Sequence, residues 1–193
     1  MKRKICATDG EINLLFAKET DRRLIYDMSV KDREIVLSMF DNPEDFSWAE
    51  IRDERNEFFN EQPSLNKYLL IEYNDEIVGI FYHLHHMASI VNMEFHIWFV
   101  STKYTGKGLG TKVVQMMKEY ISRSYQINTF IMRPWIKNPR AVRTYEKCGF
   151  EVTNPFDLEL FFTPEEILKY GNGAYSVEET VNMVASSSGC LKI

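Results

Sequence analysis

Three glycines at alternate positions, Gly106, Gly108 and Gly110, stand in the run Lys103-Tyr-Thr-Gly-Lys-Gly-Leu-Gly-Thr111. The run follows an apolar, strand-like stretch from Phe95 to Val100 and opens directly into a helical pattern. Without Cβ atoms, the backbone can turn sharply there and come close to another group. The first turn of the following helix has N–H groups without intrahelical partners and carries the positive end of the helix dipole. Together, loop and helix start make a site for a phosphate or pyrophosphate anion. Two common phosphate loops do not fit. A P-loop requires a glycine five positions before its Gly-Lys-Ser/Thr, whereas Gly106-Lys107 is followed by Gly108 and preceded by no such glycine. A dinucleotide fingerprint requires Gly-x-Gly-x-x-Gly and an acidic residue about 20 positions on. Here the spacing is Gly-x-Gly-x-Gly, and Ser122–Asn128 has no carboxylate.

A second constellation stands some 28 residues after Gly110: Asn138-Pro-Arg-Ala-Val-Arg-Thr-Tyr-Glu-Lys-Cys-Gly-Phe150. With the loop, it resembles the GNAT superfamily of acetyl-CoA-dependent N-acetyltransferases. That superfamily joins Arg/Gln-x-x-Gly-x-Gly/Ala to Asn-x-x-Ala-x-x-x-Tyr-x-x-x-Gly-Phe. Asn138, Ala141, Tyr145, Gly149 and Phe150 fill every fixed position of the second motif, and Gly106 and Gly108 match the first. Lys103 stands where Arg or Gln is usual. Within the superfamily the chain looks most like the aminoglycoside 6′-N-acetyltransferase and siderophore acyltransferase branch.

The resemblance implies an α/β (α+β) fold, with a central mixed, mostly antiparallel sheet flanked by helices. It implies one acetyltransferase domain over residues 1–162. Residues 163–193 exceed what the resemblance needs and are expected to form a short C-terminal helical extension, packed on the domain or at a self-association surface. It also implies direct transfer of an acetyl group from acetyl-CoA to a primary amine in a ternary complex. The backbone from Lys107 through Gly108, Leu109 and Gly110 to Thr111 would hold the pyrophosphate. The backbone near Phe99 and Val100 would pair with the pantetheine amides, and Asn138 would hold pantetheine, cap its helix, or both. Tyr145 would protonate the departing thiolate. Cys148 is expected to be a buried structural thiol.

An amine near pKa 10 is mostly protonated at neutral pH, so a group must remove its proton. Glu94, His96 and Trp98 share one strand face because side chains alternate; Glu94 is the first candidate base and His96 the second. His83, His85 and His86 have no ligand spacing that supports a metal. Trp98 and Trp135 are candidates for an aromatic acceptor pocket. Arg133 stands where the resembled enzymes carry aspartate before a proline, so an arginine there would repel a cationic ring. Between Asp41 and Glu61, eight carboxylates and two arginines give a local charge of −6 within a net charge of −5. Such a wall would attract a polyamine, an aminoglycoside or a lysine-bearing acceptor. The alternative functions are an acyl-CoA sensor or scaffold and a peptide or protein amine acetyltransferase.

These residues need elements to position them. The 193 residues, 45% hydrophobic and 13% aromatic, suit one globular domain. The negative net charge argues against nucleic acid, and no run is long enough to span a membrane. Three cysteines in no metal spacing fit a reducing bacterial-type cytoplasm, with the protein a monomer or homodimer. The patterns predict strands over Ile12–Lys18, Arg23–Met28, Lys67–Tyr73, Ile77–His85, Ser89–Val100, Ile127–Met132, Phe150–Thr153 and Leu158–Phe162. Helices are predicted after Ser29-x-x-Asp32 and Ser47-x-x-Glu50, over Gly108–Ser122 and Asn138–Lys147, and after Thr163-Pro-Glu-Glu166. Ser176-x-x-Glu179 is a further candidate cap.

Overall fold

The computed structural model describes residues 3–39, 47–53, 56–59, 64–170 and 177–187. Eight strands form one sheet: β1 Ile5–Thr8, β2 Ile12–Phe16, β3 Lys67–Tyr73, β4 Glu76–Met87, β5 Val91–Phe99, β6 Thr129–Met132, β7 Glu151–Val152 and β8 Met183–Ser186. Their spatial order is β1-β2-β3-β4-β5-β6-β8-β7. Every neighbouring pair is antiparallel except β5 and β6, which run parallel. The mixed, mostly antiparallel sheet expected from the resemblance is the one observed. The β3–β4 turn has positive φ at both Asn74 and Asp75, as a two-residue hairpin turn matched to strand twist requires.

The helices are α1 Arg22–Val30, α2 Arg33–Met39, α3 Trp48–Asp53, α4 Leu109–Tyr125, α5 Pro139–Glu146, α6 Leu158–Phe161 and α7 Pro164–Tyr170. Residues 23–28 were expected as a strand and lie within helix α1. The buried residues Arg22, Ile25 and Ser29 recur at helical spacing. The Arg22 guanidinium donates to Asn56 Oδ1 at 2.5 Å and lies 4.2 Å above the Phe59 ring. The expected box at Ser29 also shifts. Asp32 caps α2, its Oδ1 accepting from the N–H groups of Glu34 and Ile35 at 3.1 and 3.4 Å, while Ser29 Oγ donates back to the Ile25 carbonyl.

Residues 158–162, expected as a final strand, instead make α6. Asp157 caps it by accepting from the Glu159 N–H, and the Phe156 and Phe161 rings stack at 4.8 Å. The sheet position beside β6 belongs to β8, which separates β6 from β7. The Thr163–Glu166 capping box forms as expected, with the Thr163 N–H donating to Glu166 Oε2 at 2.8 Å and the Glu166 N–H to Thr163 Oγ1 at 3.3 Å. Ser176 lies outside the described residues, and 177–179 form a turn. β1 and β8 have no counterpart in the sequence reading, and β8 brings residues 183–186 of the expected helical extension into the central sheet as a strand.

One detail of the sheet makes room for the site. β5 pairs with β6 only at Met93 and Glu94, opposite Phe130 and Ile131. From Phe95 to Phe99 the β5 edge has no strand partner on that side among the described residues, and the gap lies beside the start of α4.

Candidate active site

Gly106 and Gly108 have φ of 73° and 80°, a region that L side chains enter at a cost. Gly108 is the N-cap of α4, and the Lys112 N–H makes the bond to its carbonyl at 3.1 Å. The N–H groups of Leu109, Gly110 and Thr111 therefore precede that bond and lack i−4 partners. The chain before the loop is held from α2, because the Thr102 N–H donates to Asp32 Oδ2 at 2.9 Å. Asp32 thus ties the loop to α2 as well as capping that helix.

A cavity of about 240 Å³ opens at this point. The loop contributes Gly106, Gly108, Gly110 and Thr111, and the free stretch of β5 contributes Ile97, Trp98 and Phe99. From α5 come Asn138 and Tyr145, and from α2 Ile35 and Ser38. Asn138 is an N-cap, with Oδ1 accepting from the Ala141 N–H at 3.1 Å, and its amide donates to the Ser38 carbonyl at 3.0 Å. α2 is therefore tied at both ends to the elements that line the cavity. Tyr145 is buried; burial first, then the neighbouring Cys148, raises its phenol above the usual value. Among the described residues its hydroxyl has no hydrogen-bond partner. Cys148 is a sequestered thiol whose Sγ lies 3.3 Å from the Thr144 carbonyl, and burial pushes it up to about 11.

Three of the expected cofactor residues, Val100, Lys107 and Leu109, do not line the cavity. The Val100 N–H donates to the Val78 carbonyl at 3.0 Å, so strand alternation turns the peptide groups of Ile97 and Phe99 toward the open edge. Val100 does not line the cavity. The Lys107 side chain is exposed, the Leu109 side chain is in the core, and neither residue lines the cavity. Lys112 pairs with Glu11 and Asp9. The sequence reading missed Arg140, Arg143 and Lys147, which line the cavity from α5. Their i, i+3, i+7 spacing puts three cations on one helical face, a signal present in the sequence.

Glu94 and His96 share a face of β5 as expected, but neither lines the cavity. Glu94 is 3% exposed, with Oε2 3.1 Å from His86 Nε2 and Oε1 3.6 Å from His96 Nε2. Burial alone would raise its carboxyl; the attraction of His96 and the contact with His86 overcome this and hold it well below the usual range. A carboxylate so held rests ionised, which makes it a weak base at equilibrium. His96 stacks on Tyr82 with ring centroids 4.2 Å apart and planes 1° from parallel, and Tyr82 meets Trp98 edge-on. His83 is sealed in the core, where burial lowers its imidazole to about 3. Among the described residues no group of three His, Cys, Asp or Glu is placed to hold a metal.

Arg133 and Trp135 do not line this cavity. Arg133 Nε donates to Asn182 Oδ1 at 2.9 Å, and its guanidinium lies 5.9 and 5.3 Å from the Phe156 and Phe162 rings. Trp135 bridges Thr180, with Lys137 Nζ 4.6 Å over its ring. Both hold the strap of residues 179–182 that leads into β8. Arg133→Ala is expected to cost about 2 kcal/mol in stability through lost hydrogen bonding and ring contact. Urea unfolding would measure this, with acetyl-CoA affinity unchanged. Of the acidic segment 41–61, most carboxylates lie outside the described residues; Asp53 pairs with Arg52.

A helix start offering amides, an unpaired strand edge beside it and a buried tyrosine across the gap define a domain built to hold an extended, phosphate-bearing ligand. The model of the Acetyltransferase (GNAT) domain matches residues 12–151, and the chain belongs to that family. It is 27% identical over 81 residues to the spermine/spermidine N(1)-acetyltransferase of Bacillus subtilis (strain 168), covering 40% of this chain and 51% of that protein. It is 43% identical over 54 residues to a kanamycin resistance protein of Rhizobium radiobacter, covering 26% and 50%. The chain thus matches about half the length of these curated relatives. The fold superposes on spermidine N-acetyltransferase from Vibrio cholerae, solved with CoA and spermine, at a TM-score of 0.68 and 20% identity, covering 93% of this chain and 98% of that one.

Proposed function

We propose that the protein is an acetyl-CoA-dependent N-acetyltransferase acting on a primary amine of a small molecule, of the polyamine, aminoglycoside-like or amino-acid-derived class. The observation that carries this reading is one cavity that unites the α4 helix start, the open edge of β5 and Tyr145. Its chemistry suits the cofactor throughout. Amides of Leu109, Gly110 and Thr111 suit pyrophosphate, the cations of α5 suit further phosphate, and the peptide groups of Ile97 and Phe99 suit pantetheine amides.

Bound acetyl-CoA supplies an activated thioester, and this chain's residues do the rest. β5 orients the acyl end beside Trp98. His96, outside the cavity but on the same face of β5 as the cavity-lining Trp98, takes in this reading the proton that makes the amine neutral, with Glu94 behind it. This order reverses the one expected from sequence, because Glu94 is sealed and held ionised. Tyr145 stays protonated through the neutral range and gives its proton to the departing sulfur. The relatives' printed names point to polycationic acceptors. We place the protein in a bacterial-type cytoplasm, as a monomer or homodimer without nucleic-acid or membrane partners. The net charge of −5 and the free thiols Cys6 and Cys148 support this. No helix among the described residues is long and apolar enough to cross a membrane.

Titration with acetyl-CoA, CoA, NAD and ATP tests the cofactor. Acetyl-CoA and CoA alone should raise Tm, by about 2.7 kcal/mol of stability at a hundredfold excess over Kd. Thiol release with spermine or kanamycin should follow. No shift with either thioester or thiol would end the reading.

A further inference from the structure

Four titratable side chains outside the cofactor cavity stand in a row, hydrogen-bonded on both sides of His86 and in ionic contact at 3.6 Å between His96 and Glu94. His96 Nε2 on β5 lies 3.6 Å from Glu94 Oε1, Glu94 Oε2 lies 3.1 Å from His86 Nε2 on β4, and His86 Nδ1 lies 2.8 Å from Glu166 Oε1 on α7. The middle is sealed and the ends are open: the side chains of His86 and Glu94 are 2% and 5% exposed, those of His96 and Glu166 16% and 26%. We propose that His96, Glu94, His86 and Glu166 conduct the proton taken from the acceptor amine to solvent at α7. A helix beyond the residues matched by the family model would then supply a working part of the reaction.

The inference rests on the acetyltransferase reading. Acetylating an alkylammonium breaks two N–H bonds and the C–S bond, forms the C–N and S–H bonds, and releases one proton. Tyr145 can pass one nitrogen proton to sulfur by giving its own and regaining another. The other proton must leave. A histidine relays by gaining a proton at one ring nitrogen and losing one at the other. His86 has a carboxylate at each, and Glu166 completes the path at the surface. Burying ions costs several kcal/mol each, and apolar side chains often fill such space with equal or better stability, so packing alone does not account for this chain. Burial by itself would lower the His86 imidazole, yet Glu94 and Glu166 hold it above its usual value. Titratable neighbours of the chain among the described residues include Tyr82, whose ring stacks on His96, and His85, lowered first by burial and then by His86; the Phe162 ring, 4.7 Å from His86, is apolar.

Glu166→Gln in the full chain tests the path, because glutamine can still cap α7 but cannot carry the proton. With acetyl-CoA and spermine, and kanamycin as a second probe, kcat should fall about tenfold, with both KM values within about twofold. Concentrated imidazole buffer should restore part of the loss, and the pH dependence of kcat should change. Glu165→Gln, an exposed neighbour on α7, should behave as the parent. Unchanged kcat, pH profile and buffer response in Glu166→Gln would overturn the proposal. No turnover of either probe by the parent would overturn the acetyltransferase reading and the relay with it. Nitrogen-15 NMR of the imidazoles examines the chain without turnover. His86 should carry protons on both nitrogens in the parent and lose one at lower pH in Glu166→Gln. A single, unresponsive proton in both proteins would sink the chain alone.

Discussion

Gly108→Val is expected to abolish acetyl-CoA binding in a protein that still folds. The reason lies in the backbone, since Gly108 sits at φ 80° with no atom within 4 Å of where a Cβ would stand. The fold therefore loses only the cost of forcing a branched residue into left-handed space, about 1–2 kcal/mol. The ligand loses far more, because relaxing that φ re-aims the amides of Leu109, Gly110 and Thr111, and the new side chain occupies the approach to them. Each hydrogen bond to a charged group is worth about 1.5–3 kcal/mol, so disturbing two weakens binding at least about a hundredfold. Calorimetric titration with CoA, beside a circular dichroism check of folding, would measure it. An affinity equal to the parent's would remove the loop from the cofactor site.

Tyr145→Phe should do the reverse, leaving CoA affinity within about threefold while kcat falls about a hundredfold or more. The ring is buried and packs near Phe150, with centroids 6.3 Å apart, and phenylalanine keeps that packing. Only the hydroxyl is lost, and among the described residues it bonds to nothing. Removing it leaves the fold nearly untouched but takes away the proton donor for the leaving thiolate. Burial raises the phenol above its usual value, so the group remains protonated across the working pH range. Full turnover by the variant would instead favour an acyl-CoA sensor or scaffold, whose behaviour should depend little on this hydroxyl.

What the sequence made legible was what local backbone rules control. Glycines at 106 and 108 must accept positive φ, Asn138 must cap a helix, and strand alternation puts Glu94 and His96 on one face; each can be read within a few residues. Contacts made over long separations were not legible. Residues 24–26, Leu-Ile-Tyr, have strand propensity, and tertiary contacts override it: Arg22 reaches Asn56 and Phe59 in another element. Arg133 was read against the aspartate of the resembled enzymes, yet its partners stand near residue 180. Glu94 looked like an exposed base until His86 and His96 closed over it. The cations of α5 are a different kind of miss, since a helical projection of residues 140–147 displays them.

The place of β8 also sets the order of assembly. Val152 pairs with Met183 and Met132 pairs with the same residue, so the two strands flanking α5 are joined through one that is synthesised long after both. Until that segment emerges, β7 has no neighbour in the sheet, the guanidinium of Arg133 lacks Asn182, and the Phe156 and Phe162 rings are uncovered by Val184. Non-local closure of this kind slows folding and lengthens the exposure of apolar surface. The nascent chain would hold its cofactor motifs before β8 joins β6 to β7 in the sheet.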